Sequence, residues 1–397
     1  MSSNKVVDKK TSIGHINLFL IVTGLFWFSM YAYMPTFSPY LKSLGVSDKF
    51  VGIIVGSYGF TQMLIRIPLG IYSDRINRRK IFIISGVILG IMSSSGMFLF
   101  NNPYLMLLFR SMAGAAAATW VTFTVLFSSY YKDNETSKSI GIINSFTKLG
   151  QVVAMLGGGV IAQRYGQEYP FLMAAVGGLV GLILSLGIQE KRRIDHKPIN
   201  LEELITIAKN PGLLSVSFLA IILQLITYAT TFGFIPIVAK NLGASSIHLG
   251  FITVITVIPG IFSAYLSGTF SASRYGERNT IVGGFILIAL SCVVVPFIHA
   301  LPILYGSQII NGFGQGIVFP ILMGLSIKNV VSDKRGTAMG FFQAIYGLGM
   351  FLGPVLLGFL SDSVGMSIGF YIIGLIGFLG GFLTLIFCRS AGRQIAE

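Results

Sequence analysis

The chain has 397 residues, of which 53% are hydrophobic and 11% charged, and its mean hydropathy is +0.79. That composition excludes an ordinary soluble domain and points to the membrane. The formal net charge of +14 would suit a polyanion partner, but its distribution along the chain argues against nucleic acid.

A spanning helix needs roughly 20 apolar residues. Twelve segments qualify, in chain order 14–41, 50–72, 80–100, 103–130, 139–163, 169–188, 212–239, 248–271, 279–299, 301–328, 336–361 and 366–388. Lys5, Lys9 and Lys10 precede the first segment as in a signal peptide. The apolar run is too long for a signal h-region and lacks a small-residue cleavage site, so it is predicted to be helix 1. With the N-terminus inside, 21 of the 28 Lys and Arg residues fall in the tails and the 2–3, 4–5, 6–7, 8–9 and 10–11 connections. The opposite side holds only Lys42, Lys49, Arg164 and Lys240. This asymmetry predicts a multi-pass protein of the plasma (inner) membrane with both termini cytoplasmic.

The one long polar interval, 189–211, is predicted to be a cytoplasmic linker. Leu201, Leu204, Ile205 and Ala208 recur there at helical spacing. They fit a short amphipathic helix on the membrane face or a solvated connector with a turn or two of helix. The linker separates an N-terminal six-helix bundle, 1–188, from a C-terminal one, 212–397. Cys292 and Cys388 lie in or at the end of apolar helices and form no disulfide framework or zinc spacing. No phosphate-cradling Gly-Lys-Ser/Thr loop is present, so uphill work must draw on an ion or solute gradient.

The two halves repeat. Arg75, Arg79, Gly141, Gly150, Gly159, Gly166 and Phe171 correspond to Arg274, Arg278, Gly340, Gly349, Gly358, Gly365 and Phe370, each 199 positions on. Gly45, Gly52 and Gly114 return 198 positions on as Gly243, Gly250 and Gly312. Because six is even, both halves begin on the same side, which gives a parallel repeat about an axis along the membrane normal.

Between helices 2 and 3 stands Gly70-Ile-Tyr-Ser-Asp74-Arg75-Ile-Asn77-Arg78-Arg79-Lys80. This stretch resembles the inner-loop signature of the major facilitator superfamily, with Asn77 in place of its second glycine. The resemblance covers nearly the whole chain. It implies an all-α membrane protein of twelve helices in two six-helix bundles, working as a secondary transporter. It also implies a conformational latch of Gly70, Asp74, Arg75 and Arg79, in which Asp74 meets the start of helix 11 near Gly336 and holds the outward-open state. Ser273 occupies the place of Asp74 in the second half. Helix 4 carries Arg110 before the small stretch Gly114 to Ala118, similar to the family's helix 4 motif, and the matching part of helix 10 has Gln308, Asn311 and Gln315. The glycine-proline motif expected of exporters in helix 5 reads Ala154-Met155, and its fuller form, Gly353-Pro354, stands in helix 11.

All fourteen acidic residues fall in loops, rims or tails, whereas Arg66, Arg110 and Lys148 lie inside predicted spans. A charge at mid-bilayer costs about 3 kcal/mol even on the lenient insertion scale. Three without a carboxylate partner demand another explanation. Tyr58, Gln62 and Arg66 are four apart on one face of helix 2, and Asn144, Lys148 and Gln151 share a face of helix 5. Trp27 and Tyr31 in helix 1, Gln224 and Tyr228 in helix 7, and Gln343 and Tyr346 in helix 11 complete a candidate lining with the helix 10 amides. Aromatic and amide groups suit a small organic solute.

Arg66, Arg110 and Lys148 facing the cavity predict an anionic solute, one with a carboxylate or phosphate. If they are structural, the lining suits multidrug-type efflux of neutral or amphipathic compounds; an organic-anion uptake symporter is a further alternative. Arg66 could instead snorkel to the rim, Arg110 could be structural, and the amides could be packing glue. A non-transporting receptor is the reading from a different class. No His, Cys, Asp or Glu cluster points to an enzyme, a metal or a cofactor. The expectation is a monomer carrying a small molecule against a proton or counter-solute gradient, with efflux slightly favoured by the resemblance.

Overall fold

The computed structural model describes residues 13–76, 78–131, 135–190, 206–207, 209–267, 272–328, 330–331 and 334–393. The amphipathic segment expected at Leu201, Leu204, Ile205 and Ala208, and Asn77 of the 2–3 loop, lie outside the described residues. Eleven described helices are long and apolar enough to cross a membrane: α1 Ile13–Ser43, α2 Asp48–Ile76, α3 Arg79–Leu99, α4 Pro103–Ser128, α5 Lys138–Tyr165, α7 Pro211–Asn241, α8 Ser246–Leu266, α9 Glu277–Phe297, α10 Leu301–Lys328, α11 Arg335–Val364 and α12 Met366–Phe387. The shorter α6, Tyr169–Ser185, completes the set of twelve. The observed bounds fall within five residues of the predicted ones.

Three helices break where the sequence supplies a local reason. α1 pauses at Ala32 and Tyr33 before Pro35, which sits at the start of the second piece, Met34–Ser43. α4 pauses at Thr119, whose hydroxyl bonds the Ala116 carbonyl at 2.7 Å. α7 widens into a π turn over Thr230–Phe234 just before Pro236. Asn102 and Asn210 cap α4 and α7 through their side chains, and each is followed by a proline at the first helical position.

The helices pack as two six-helix bundles. In the first, α1 pairs with α5, α2 with α4 and α3 with α6; in the second, α7 pairs with α11, α8 with α10 and α9 with α12. The repeated glycines make these pairings possible. A β-carbon at Gly114 would overlap the Tyr58 carbonyl oxygen, and one at Gly312, 198 residues on, the Thr256 carbonyl. Gly150 meets Gly24 of α1 in the same way, and its repeat mate Gly349 meets Ile221 of α7. Small residues bring helix backbones together where lipid gives no hydrophobic drive.

Two seams join the bundles, α2 against α11 and α5 against α8. One end of the molecule carries Arg75, Arg78, Arg79, Lys80, Lys328 and Arg335; the other carries Gly45, Gly166, Gly243 and Gly365 at its turns. The seams are tightest toward that second, far end. Gly52 abuts the Pro354 carbonyl and Gly358 the Asp48 carbonyl, while Gly250 approaches the Met155 carbonyl oxygen so closely that a β-carbon would stand 2.7 Å away. Toward the basic end, β-carbons at Gly141, Gly336 and Gly340 would meet nothing within 4 Å among the described residues. The seam glycines are thus close-packed toward the far side, and no such contact is made by Gly141 of α5 or Gly336 and Gly340 of α11 among the described residues.

Candidate functional site

The three embedded cations take three different situations. Arg66 is 2% exposed. Its Nη1 donates to the Gln343 carbonyl at 3.3 Å and lies 3.5 Å from the Tyr346 hydroxyl, both on α11. Its Nη2 donates to the Ala117 carbonyl of α4 at 3.3 Å. The Ala117 carbonyl stands two residues before the break at Thr119. Arg66 therefore ties three helices across the bundle boundary.

Arg110 is 1% exposed and held within its own bundle. Its Nη1 donates to the Tyr33 hydroxyl at 2.9 Å. The guanidinium stands over the rings of Tyr58 at 4.4 Å, Phe37 at 5.6 Å and Tyr33 at 5.7 Å. The break in α1 swings Tyr33 and Phe37 toward α4. Aromatic faces thus supply the stabilisation that a carboxylate would supply elsewhere.

Lys148 is the exposed one of the three. Its Nζ donates to Gln151 Oε1 at 3.2 Å. Seven and eleven residues on, the same face of α5 carries Met155 and Gly159, which touch Gly250 and Ser246 of α8. The lipid side of α5 is a different one, marked by exposed Leu149, Val153, Leu156 and Val160. Lys148 therefore looks into the open, basic-end half of the α5–α8 seam, with half-buried Asn144 one turn before it.

An aromatic layer crosses the centre. Trp120 meets Trp27 edge-on at 5.3 Å, Trp27 lies 5.8 Å from Tyr31, and Tyr31 meets Phe232 of the other bundle at 5.8 Å. Phe232 packs on Tyr228 at 5.1 Å, and Tyr228 stacks on Tyr58 at 6.2 Å with ring planes 16° apart. The π turn places Phe232 in this layer. Trp27 Nε1 and Gln62 Oε1 are buried beside it with no hydrogen-bond partner among the described residues.

The amides of α10 form a ladder. Gln315 Nε2 donates to Asn311 Oδ1 at 3.1 Å and to Thr231 Oγ1 of α7 at 3.3 Å, and Asn311 Nδ2 donates to Gln308 Oε1 at 3.3 Å. Gln308 and Asn311 are buried, while Gln315 and Gln224 are half-buried. Of the expected lining, the structure brings Trp27, Tyr31, Tyr58 and Tyr228 into one layer. It joins Arg66 to Gln343 and Tyr346, and keeps Lys148 with Gln151 apart from both arginines. Sequence reasoning missed Tyr33, Phe37, Trp120 and Phe232. Their only signal was an excess of aromatic residues near the helix breaks.

At the basic rim the Asp74 carboxylate accepts from Arg79 Nη2 at 2.7 Å, within its own loop. The Arg79 and Lys80 amides donate to Glu190, and Lys80 Nζ donates to the Leu186 carbonyl at 2.7 Å. Arg75 is exposed, and Gly70 has ordinary room beside Val121. A β-carbon at Gly336 would have neither Asp74 nor any other described residue within 4 Å.

Two six-helix bundles repeated in parallel, meeting along a polar and aromatic seam, define a secondary transporter. The chain belongs to the Major Facilitator Superfamily, whose model matches residues 19–234 and again 217–395. It is similar to an uncharacterized MFS-type transporter of Methanocaldococcus jannaschii, 27% identical over 84% of this chain and 87% of that one. It also resembles the class C tetracycline resistance protein of Escherichia coli, 24% identical over 81% and 83% of the two chains. Among solved structures, a bacterial homolog of the human lysosomal transporter Spinster, inward-facing and unoccupied, superposes with a TM-score of 0.76. That match has 15% identity and covers 95% of this chain and 97% of the other.

Proposed function

We propose that this transporter carries a small organic anion by rocking its two bundles about the central seam, and that Lys148 is the cation its cargo meets. The observation that carries this reading is the contrast among the embedded charges. Arg66 gives Nη1 and Nη2 to two carbonyls, and Arg110 gives Nη1 to the Tyr33 hydroxyl and its face to aromatic rings, while the buried Nε of each has no partner among the described residues. Lys148 keeps only an amide partner and faces the open half of a seam. All fourteen acidic residues lie in loops, rims or tails, so an incoming carboxylate or phosphate would be the counter-charge that an embedded ammonium otherwise lacks. Trp27 Nε1 and Gln62 Oε1, buried and unpaired among the described residues, offer further polar partners in the aromatic layer.

The basic end is assigned to the cytoplasm by the positive-inside rule, in a plasma (inner) membrane, with 1–188 and 212–397 as the moving halves. The conformation described above is then inward-open. The direction proposed is export, supported by the likeness to a tetracycline resistance protein, and driven by a proton or counter-solute gradient. Asp74, released from Arg79, would meet the start of α11 in the opposite state.

One observation favours a second reading, efflux of neutral or amphipathic compounds: the layer from Trp120 to Tyr58 is aromatic throughout, and both arginines are already engaged. Counterflow in proteoliposomes separates the two. A carrier of anions exchanges labelled carboxylates or phosphates and ignores their neutral amides or esters; a multidrug carrier does the reverse.

A further inference from the structure

At the far end, each seam is fastened by a side chain from one bundle on the first amides of a helix in the other. Asp362, in the last turn of α11, accepts from the Asp48 amide at 3.1 Å and the Lys49 amide at 2.8 Å, at the start of α2. Gln163, in the last turn of α5, accepts through Oε1 from the Ser246 amide at 3.0 Å, at the start of α8. These are the same contact made twice. Gln163 and Asp362 are 199 residues apart, Asp48 and Ser246 are 198 apart, and these are the two offsets of the sequence repeat. Four residues before each acceptor stands the glycine, Gly159 or Gly358, that brings the backbones together.

The first amides of a helix have no partner inside it and attract an acceptor, most strongly an anion. Local caps leave work to do here. Ser47 takes only the Phe50 amide in α2, and Ser245 of α8 is engaged with His248. The Asp48, Lys49 and Ser246 amides are met from the opposite bundle. When the far side opens, water can take them, so the fastening is reversible in a way that a buried contact is not. The two copies differ in charge. Asp362 is a carboxylate among Lys49, Lys42 and Asp48, with Lys42 Nζ 2.6 Å from Asp48 Oδ1 and the Ser361 hydroxyl donating to Asp48 Oδ2. Gln163 is a neutral amide.

We propose that Asp362 and Gln163 are paired positioning residues of the transport cycle. They are pseudo-symmetric clasps that hold the far side shut by capping α2 and α8, and the charged clasp at Asp362 is the stronger. The inference rests on the alternating-access part of the proposed function and is independent of the cargo.

Hydrogen–deuterium exchange of the full chain in lipid nanodiscs tests it without a substrate. In Asp362→Ala, exchange should rise about a hundredfold or more along 52–59 of α2, as expected for losing two hydrogen bonds to a charged acceptor. Because the bundles move as bodies, 250–257 of α8 should rise with it, although Asp362 touches no part of α8. Gln163→Ala should raise both segments by less. Asp362→Asn keeps an acceptor and should stay within about threefold of the parent protein. Segment 86–97, inside the first bundle, should not change in any variant; if Asp362→Ala loosens it, Gln163→Ala and Asp362→Asn carry the same test. An increase confined to residues 48 and 49, with 52–59 and 250–257 at the parent rate in both Asp362→Ala and Gln163→Ala, would overturn the proposal.

Discussion

The Arg66 guanidinium and the Gln343 carbonyl oxygen stand 3.3 Å apart across the boundary between the two bundles. The same side chain reaches back to Ala117 in its own bundle at 3.3 Å. A charge of this kind inside a membrane is expensive unless its donors are met. Here main-chain oxygens on both sides of the bundle boundary take Nη1 and Nη2, and the buried Nε has no partner among the described residues.

Arg66→Ala should therefore lower flux in proteoliposomes by roughly tenfold while the protein stays monodisperse, since at least one charged hydrogen bond of the closed seam is lost. Arg66→Lys should not restore it. A lysine ammonium is a point charge and cannot span the Ala117 and Gln343 carbonyls as a planar fork does. Parent-like flux in Arg66→Ala would show that the tie has no part in the cycle.

Arg110 is predicted to act through stability. Its guanidinium fills a cage of Tyr33, Phe37 and Tyr58, so Arg110→Ala should cost about 2 kcal/mol from lost cation–π and hydrogen-bond terms. The measurement is thermal unfolding in detergent. Cargo affinity should change little in the surviving folded fraction. A large affinity loss with unchanged melting would place Arg110 in the binding site instead.

The repeat glycines divide into tight and open ones. Gly114→Leu would drive a side chain into the Tyr58 carbonyl and the Thr61 hydroxyl. Overpacking of that size costs about 1–3 kcal/mol or more, so little monodisperse protein should be recovered by gel filtration. Gly141→Ala, with no described residue within 4 Å of the new carbon, should be recovered in full. Equal yields would contradict the packing role.

The architecture was legible because membrane helices announce themselves by length, and because the 198–199 spacing of glycines records contacts that must occur twice. Gly114 with Tyr58 and Gly312 with Thr256 are one such contact in two copies. The cations were legible as anomalies, but their partners were not. Nothing in the residue order says that Arg110 would lie on Tyr58 and Phe37, because the break at Ala32 and Tyr33 re-aims those rings. Nor does it say that Arg66 would take carbonyls from Ala117 and Gln343. Main-chain acceptors carry no residue signature. The amide stripe of Gln308, Asn311 and Gln315 was visible as a helical face, yet periodicity cannot separate a ladder bonded to itself from a lining open to solute. The capping role of Gln163 and Asp362 was hidden for a similar reason. Their repeat mates differ in type, an amide opposite an acid, so the spacing was preserved while the letter changed.

The most direct measurement for the central claim is counterflow of a panel of labelled organic anions into proteoliposomes, comparing the parent protein with Lys148→Ala, Lys148→Gln and Lys148→Arg. A loss of about ten- to a hundredfold is expected in the Ala and Gln variants, the range for one charge-assisted hydrogen bond, with partial recovery in Arg. Anion exchange at the parent rate in folded Lys148→Ala would contradict it.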